Sequence, residues 1–575
     1  MNTKIIRLST LLTLVSAIIF SKADASGLKA HPGSPSCRFL PGDKLWPSTH
    51  EWQQLNTSIS GRLISTVPLG SVCHDPTFDA ETCAALAQSW TFPQAHFVHP
   101  SSFMSAYHQN ASCNPYTPKA SPCLLGNTVP YVINVTSAED VIAGLKFAQE
   151  KNVRLVIKNT GHDYLGKSTG KGAVSLWTHN LKSIEFLNYT SAAYTGPAMK
   201  IGAGVQAFEA YEAAAAKGLK VVGGECITVG LAGGFTQGGG HSLLSSKHGL
   251  GADQALEWEV VTANGTLVTA SPTNNSDLYW ALSGGGGGSY GVVLSLTTKA
   301  YPDGIVGGAS IATQFSSVDD DTLWDLVSFF QSTALPGIVD AGAHVQWALL
   351  GPIFVITEVT IPDATESDIR GALKQLTGYL SERNISFQLN VTSLPNYLVH
   401  MERYLGPFPY GQYPVEQLQG GIMVSRETVK KNSTELTAVL RNIVTKTGFY
   451  LAPYSLNVSR PPGSPNAVLP AWRDALTYYT VIQNWNFTVP FSEMDEQERL
   501  LTEEIMPPLQ EFASGAYMNE ADFKNPKWRE EFYGENFEKL KEIKKKWDPQ
   551  DLFYATTAVG SDAWKVAADG RLCRV

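Results

Sequence analysis

Charge is scarce in this 575-residue chain: 17% of residues are charged, the net charge is near −9 at pH 7, and no basic stripe occurs. That removes the electrostatic basis for binding nucleic acid or anionic lipid, so a small molecule is the expected partner. After the N-terminal segment no stretch supplies the roughly 20 apolar residues of a membrane span. No solenoid-type repeat is found. What is present is a globular composition, 43% hydrophobic, long enough for two or three domains of about 150 residues.

The N-terminus reads as an address. Lys4 and Arg7 precede the apolar run LLTLVSAIIF, and Ala23-Asp24-Ala25 offers a small-x-small cleavage site, so residues 1–25 are expected to be a signal peptide. Eleven N-x-S/T sequons, at Asn56, Asn110, Asn134, Asn188, Asn264, Asn274, Asn384, Asn390, Asn432, Asn457 and Asn486, agree with export and N-glycosylation. An exported chain oxidises its cysteines in pairs, and this one has seven. Short separations make Cys73 with Cys83 and Cys113 with Cys123 natural loops, leaving Cys37 and Cys573 to join the ends, although the sequence does not fix the connectivity. Cys226 is then unpaired.

Residues 26–124 are rich in Cys, Pro, Ser and aromatics and read as a disulfide-pinned leader. From Val129 strands and helices alternate: YVINVTS, then SAEDVIAGLKFAQEKN with Ser137 and Glu139 placed to cap it, then VRLVIKN. EWEVVTANGTLVTAS reads as a hairpin turning at Asn264-Gly265, and GVVLSLTTKAYPD as a strand closing an α+β unit near residue 305. Residues 306–519 mix strands (HVQWALLGPIFVITEVTI) with helices (ESDIRGALKQLTGYLSER, NSTELTAVLRNIVTKTG). WREEFYGENFEKLKEIKKKWDP reads as one helix with Phe532, Asn536, Leu540, Ile543 and Trp547 on a stripe, and its KKK run as a solvated face.

Three glycine-rich stretches compete for the chemistry. Gly202 to Ala207 fits G-x-G-x-x-A before a helical run, a weak dinucleotide fingerprint. Gly287-Gly288-Ser289-Tyr290-Gly291 fits the G-x-S-x-G elbow of a serine esterase, but the β-branched run that follows is not the helix the elbow requires. The third reading joins GHDY, directly after an apolar strand on a turn suited to an anion nest, with GGECITVGLAGGFTQGGG, residues 223–240, where missing side chains let a flat cofactor lie close to the backbone.

KNTGHDYLGKSTG, GGECITVGLAGGFTQGGGHSLLSSKHGLGADQ and NFEKLKEIKKKWDPQDLFYATTAVG, in that order, resemble the berberine bridge enzyme branch of the vanillyl-alcohol oxidase (PCMH-type) FAD-linked oxidoreductases, nearest the secreted fungal proteins that include isoamyl alcohol oxidase-like members. The resemblance runs from about residue 37 to the C-terminus. It implies an α+β, two-domain fold: an FAD-binding domain at 125–305, an α/β substrate domain at 306–519 whose sheet roofs the ring, and a segment at 520–575 returning to the FAD domain.

It also implies that His162 bonds the flavin 8α-methyl carbon and Cys226 ring carbon C6, a bicovalent FAD that cannot dissociate outside the cell and whose reduction potential is raised. Lys158, Asn159, Thr160, Gly161 and Asp163 would wrap the pyrophosphate with Gly166 and Ser168. Gly223, Gly224, Val229, Gly230, Gly233 and Gly234 would line the ring and ribityl chain, Val229 admitting O2. Tyr290 and Val292 would touch the adenine side, and Asn519 would reach the cofactor. Tyr517-Met518-Asn519-Glu520-Ala521-Asp522 resembles the family's Y-x-N-Y-x-D segment with Glu520 in place of the second tyrosine, so either Tyr517 or Glu520 is the candidate base. No metal is expected.

The implied activity is a secreted, monomeric oxidase passing hydride from an alcohol or amine carbon to flavin, with O2 reduced to H2O2. Oxidative ring formation in secondary metabolism is the main enzymatic alternative and carbohydrate oxidation the third. A serine esterase using Ser289 and a non-catalytic binding protein are the readings from other classes.

Overall fold

The computed structural model describes residues 37–110, 112–461 and 463–575, so the signal-peptide reading lies outside the described residues. Among the described residues three larger sheets, beside two two-stranded ones, organise the chain. In a four-stranded sheet, Ala173–Trp177 lies parallel to both Tyr131–Asn134 and Arg154–Lys158, and Leu63–Ser65 adds an antiparallel edge. The helix Ala138–Glu150 covers it, burying Val141, Leu145 and Ala148 against Leu155, Val174 and Leu176. Its start is tied down differently from the expectation. The Ser137 hydroxyl makes no capping bond. Instead Asp140 accepts from the Thr136 N–H and hydroxyl, both at 2.9 Å, and pairs with Arg62.

The second sheet is antiparallel throughout, in the order Ile184–Thr190, Thr195–Gly202, Val292–Lys299, Ala255–Val261, Leu267–Ala270. The hairpin at Asn264-Gly265 joins its last two strands. This topology disposes of two motif readings. The G-x-G-x-x-A stretch follows a strand with antiparallel neighbours, not the parallel β-α-β unit that a dinucleotide fingerprint needs. Ser289 is 1% exposed and leads into Val292–Lys299, a strand instead of a helix, so it is no nucleophile elbow.

The third sheet is built within residues 306–484, in the order Phe387–Leu394, Val306–Gln314, Ile353–Pro362, His344–Leu350, Tyr450–Leu451, Ala475–Asn484, Gln417–Ser425. Strand side chains alternate between faces, and here the alternation divides core from cavity. Val345, Leu349, Leu418, Tyr479 and Val481 pack against the helices Asp321–Phe329, Glu366–Glu382 and Ser433–Lys446. Their neighbours Gln346, Ala348, Gln417, Gln419, Thr480 and Ile482 line an internal cavity.

Disulfides join Cys37–Cys573, Cys73–Cys83 and Cys113–Cys123, leaving Cys226 free. The C-terminal helix is not continuous. Trp528–Tyr533 ends at Gly534, whose φ of +54° breaks the ladder, and Phe537–Trp547 starts afresh. Within the KKK run Lys544 is buried, donating to Asp548 at 2.6 Å and to the Ser289 and Phe553 carbonyls at 2.8 Å. Lys546 pairs with Asp277 at 2.6 Å.

Candidate active site

Two loops meet across the cavity. The first leaves the strand Arg154–Lys158, where the Asn159 amide nitrogen donates to the Thr178 hydroxyl at 3.0 Å and to the Ala203 carbonyl at 2.6 Å. Gly161 O accepts from the Met104 N–H at 2.8 Å, fixing the turn that presents His162. The second carries Cys226. The loops are tied together two residues beyond that cysteine, where the His162 Nε2 lies 2.7 Å from the Thr228 hydroxyl. Gly230 passes so close to the first loop that a Cβ there would stand 1.8 Å from Asn159 Oδ1, which explains a glycine at this position.

Burial, aided by the nearby His96, lowers the His162 pKa to about 3, so its imidazole is neutral. Burial, with Glu520 and Glu225 adding to it, pushes the Cys226 thiol up to about 12. The protein without cofactor therefore holds a thiol there, not a thiolate.

The cavity has a volume of about 440 Å³. Its wall brings together Asn159, Thr160, Gly161, His162, Asp163 and Ser168 from the first loop, and Gly224, Cys226, Val229, Gly230, Gly233 and Gly234 from the second. Tyr517, Asn519 and Glu520 come from the C-terminal part of the chain. Five other sequence candidates stand off this wall. The Lys158 ammonium donates to the His99 carbonyl at 2.8 Å, in a burial that lowers its pKa to about 7. Gly166 packs on His108 and Gly223 on Tyr211. Tyr290 is fully buried with its hydroxyl 3.2 Å from the Gly285 carbonyl, and Val292 belongs to the core beneath the four-stranded sheet.

The two candidate bases differ in setting. Tyr517 is 3% exposed, its hydroxyl accepts from the Asn519 amide at 2.9 Å, and burial with Glu520 nearby raises its pKa well above the phenol range. Glu520 is less buried. One oxygen takes His241 Nε2 at 2.9 Å and the other the Tyr454 hydroxyl at 3.2 Å, while Tyr478 donates to its main-chain carbonyl at 2.8 Å. His241 stacks on Tyr454 with ring centres 3.9 Å apart and meets Glu225 at 3.0 Å through Nδ1. In the sequence Glu225 fits only the acidic position about twenty residues after the weak G-x-G-x-x-A fingerprint, and His241 directly follows the glycine-rich stretch with no role of its own. A charged pair within a run of small residues was the available signal.

Glu225, His241 and His344 place one ligand atom each within 4.8 Å of the others, the one such group that could hold a metal among the described residues. For a flavin the fit is broader. Asn159 Oδ1 is buried without a partner on the cavity wall, and the open side of Gly234 has nothing within 4 Å. A flat heterocycle with N–H groups satisfies the first and fills the second.

The pattern described as FAD binding domain matches residues 129–271, and that described as berberine and berberine like matches residues 516–560. The VAO-type flavoprotein oxidase VAO615 of Thermothelomyces thermophilus is 45% identical over 556 residues, 95% of this chain and 96% of that one. The crystal structure of MtVAO615 from Myceliophthora thermophila superposes with a TM-score of 0.91 over 94% of this chain and all of that one, at 44% identity. The bifunctional decalin synthase calF of Penicillium decumbens is 43% identical, covering 94% of this chain and 96% of that one. A glucooligosaccharide oxidase from Acremonium strictum shares the fold at 18% identity, with a TM-score of 0.58 over 75% of this chain and 92% of that one. With its paired loops, its antiparallel roof and its berberine-like C-terminal segment, the chain belongs to the VAO-type FAD-linked oxidoreductases, and FAD is its cofactor.

Proposed function

We propose that this protein is a secreted, N-glycosylated, monomeric oxidase that binds FAD covalently through His162 and Cys226 and oxidises a small alcohol to a carbonyl. The observation that carries the reading is the convergence of His162 and Cys226 on one cavity wall beside Glu520. The glucooligosaccharide oxidase compared above is described as having a 6-S-cysteinyl, 8α-N1-histidyl FAD, the same pair of side-chain types. Bound FAD supplies the hydride acceptor and the group that O2 reoxidises with release of H2O2.

The chain's own residues supply the rest. Asn159, Gly230 and Gly234 shape the cofactor bed. Glu520 is the base: its carboxylate faces the cavity and is oriented by two donors, whereas the Tyr517 phenol is held neutral and already accepts from Asn519. As the substrate O–H breaks, its proton passes to Glu520, and the electron pair left on oxygen becomes the second carbonyl bond as the C–H bond breaks and its hydride leaves for the acceptor that bound FAD would supply. Gln346, Gln417 and Gln419, with Tyr413 and Tyr450, form a polar, uncharged wall opposite, suited to an alcohol more than to an acid. Three disulfides and eleven sequon asparagines, none of them buried, support export.

The kinship with a decalin synthase supports a second reading, oxidation coupled to ring formation in secondary metabolism. A peroxide-release screen over alcohols, sugars and amines separates the two. The tether itself is tested by digesting the denatured protein and weighing its peptides. Masses of FAD on the peptides carrying His162 and Cys226 are expected, and both peptides unmodified would end the proposal. His162→Ala or Cys226→Ala alone should leave the flavin attached through the other residue, and the double variant should release it.

A further inference from the structure

Glu520 is one end of a row of charged groups that continues away from the cavity. His241 Nε2 meets Glu520 at 2.9 Å and its Nδ1 meets Glu225 at 3.0 Å. The same Glu225 oxygen lies 2.8 Å from His344 Nε2, an ion-pair distance without the alignment of a hydrogen bond, and His344 Nδ1 is hydrogen-bonded to Glu358 at 3.1 Å. His344 and Glu358 do not reach the cavity. They sit on the adjacent strands His344–Leu350 and Ile353–Pro362, fully buried, with Thr360 donating to Glu358 and approaching His400 at 2.6 Å. The row thus spans from the C-terminal segment through the Cys226 loop into the roofing sheet.

We propose that this row is an alternating-charge ladder, carboxylate–imidazolium–carboxylate–imidazolium–carboxyl, in which His344 and Glu358 are positioning residues that hold Glu225 and His241 so that Glu520 is fixed for proton abstraction. It rests on the reading of Glu520 as the base. Charged groups buried singly are costly, and the arrangement is tolerable because each faces its opposite. Burial alone would discharge both imidazoles. Glu520 and Glu225 outweigh it at His241, and Glu225 with Glu358 outweighs it at His344, so both pKa values are raised. Glu225 is held well below the usual carboxylate range against its burial, by His344 and His241. Glu358 is pushed up to about 7 by burial, which makes it the member that carries a proton near neutrality.

The other titratable groups facing the row stay neutral across the same range. Tyr454, Tyr478 and Tyr517 face the Glu520 end, with Tyr164 and the Cys226 thiol beside it, and burial raises all five. Tyr211, Tyr397 and Tyr413 flank Glu225, and Tyr404 faces Glu358; burial raises these too. His400, behind Thr360, is lowered to about 3 by burial. Lys167, the cation on the same cavity wall, donates to the Met518 carbonyl at 3.3 Å, so among the described residues the row's hydrogen-bonded ion-pair contacts are those between its own members. In turnover Glu520 accepts the substrate hydroxyl proton, and the imidazolium of His241 remains at its back in hydrogen-bonding reach.

The test uses the full-length flavinylated protein labelled with ¹⁵N-histidine. At pH 7.5 an ordinary histidine, with a pKa near 6.5, is about nine-tenths neutral. Two imidazolium signals are expected to persist there, one lost in His241→Gln and the other in His344→Gln. Glu358→Gln should lower the rate of flavin reduction by an alcohol that releases peroxide in the screen by about fivefold, with KM changed less than twofold. Neutral imidazoles at pH 7.5 in the unsubstituted protein overturn the ladder while leaving Glu520's role intact. So does one equivalent of zinc, copper or iron that disappears in Glu225→Gln, since the cluster would then be a metal site. A reduction rate indifferent to Glu520→Gln overturns the base assignment instead.

Discussion

At the scale of single residues, the chemistry rests on side chains far apart in the chain that meet on one cavity wall. His162 and Cys226 stand in loops that glycine marks out, and a cysteine left over after three pairings invites a role. Their partners were hidden by distance along the chain: His241 meets Glu520 across 279 positions, and no local pattern announces such a contact. Tyr517 and Glu520 could not be ranked from spacing, because what separates them is burial and the donors each faces. Glu520→Gln keeps the shape and removes the proton acceptor, so flavin reduction by the substrate should slow by about 10²–10⁴-fold. Tyr517→Phe, which loses only a hydroxyl that accepts from Asn519, should slow it by less than about tenfold in the same stopped-flow measurement. The reverse ranking would return the role to the tyrosine.

Glu416 gives a second residue-level prediction. It lies 3.4 Å from His96, a distance that resembles an ion pair, yet burial moves the two in opposite directions. Glu416 rises to about 8 and His96 falls to about 4, so between those values both are neutral. Only Gln109, donating at 2.7 Å, satisfies the carboxyl, and its second oxygen is unbonded. A carboxyl whose folded pKa lies above its unfolded value contributes stability below about pH 4.3 that is lost as pH rises toward 8. Glu416→Gln should be close to neutral at pH 5 and more stable than the parent at pH 8 to 9, by on the order of a few kcal/mol. Thermal unfolding at the two pH values measures the difference, and parallel curves would contradict it.

Elements were read best where one face repeats. The stripe from Phe532 to Trp547 was visible because apolar residues recur at helical spacing, and Leu540 and Ile543 are indeed buried. The break at Gly534 was missed, since a glycine inside a helical pattern lowers propensity without stating whether φ turns positive. Burial of Lys544 was missed for a different reason: a lysine among lysines reads as solvent-facing unless its partners are known. Here Asp548 also accepts the N–H groups of Leu552 and Phe553, both at 2.9 Å, so one ion pair pins the helix end to the following loop. Lys544→Met removes the cation and leaves a buried carboxylate unpaired, a change expected to cost roughly 3–5 kcal/mol. The melting temperature should fall by several degrees, whereas Lys545→Met, on the exposed side, should leave it nearly unchanged.

For the whole molecule, the fold class was carried by the order of three motifs, while in the roofing sheet only the stretch that forms His344–Leu350 and Ile353–Pro362 was foreseen as strand. Its pairing order joins Gln417–Ser425 to Ala475–Asn484 and Val306–Gln314 to both Ile353–Pro362 and Phe387–Leu394, long-range choices that alternation alone does not make. The described chain is closed by Cys37–Cys573, a bond across 536 positions. Beside it Arg38 N–H donates to the Leu572 carbonyl at 2.8 Å, and Arg571 pairs with Asp43, so the two ends are also held without sulfur. Opening the bond by replacing both cysteines with serine restores freedom to an unfolded chain with a very large loop, for which losses of roughly 2–5 kcal/mol are typical. Because a protein of this size is prone to unfold irreversibly, the loss is best read as a shorter half-life at elevated temperature. Flavin content should be unaltered at 25 °C, since neither cysteine approaches the cavity. A double variant as durable as the parent would show that the arginine contacts alone keep the ends together.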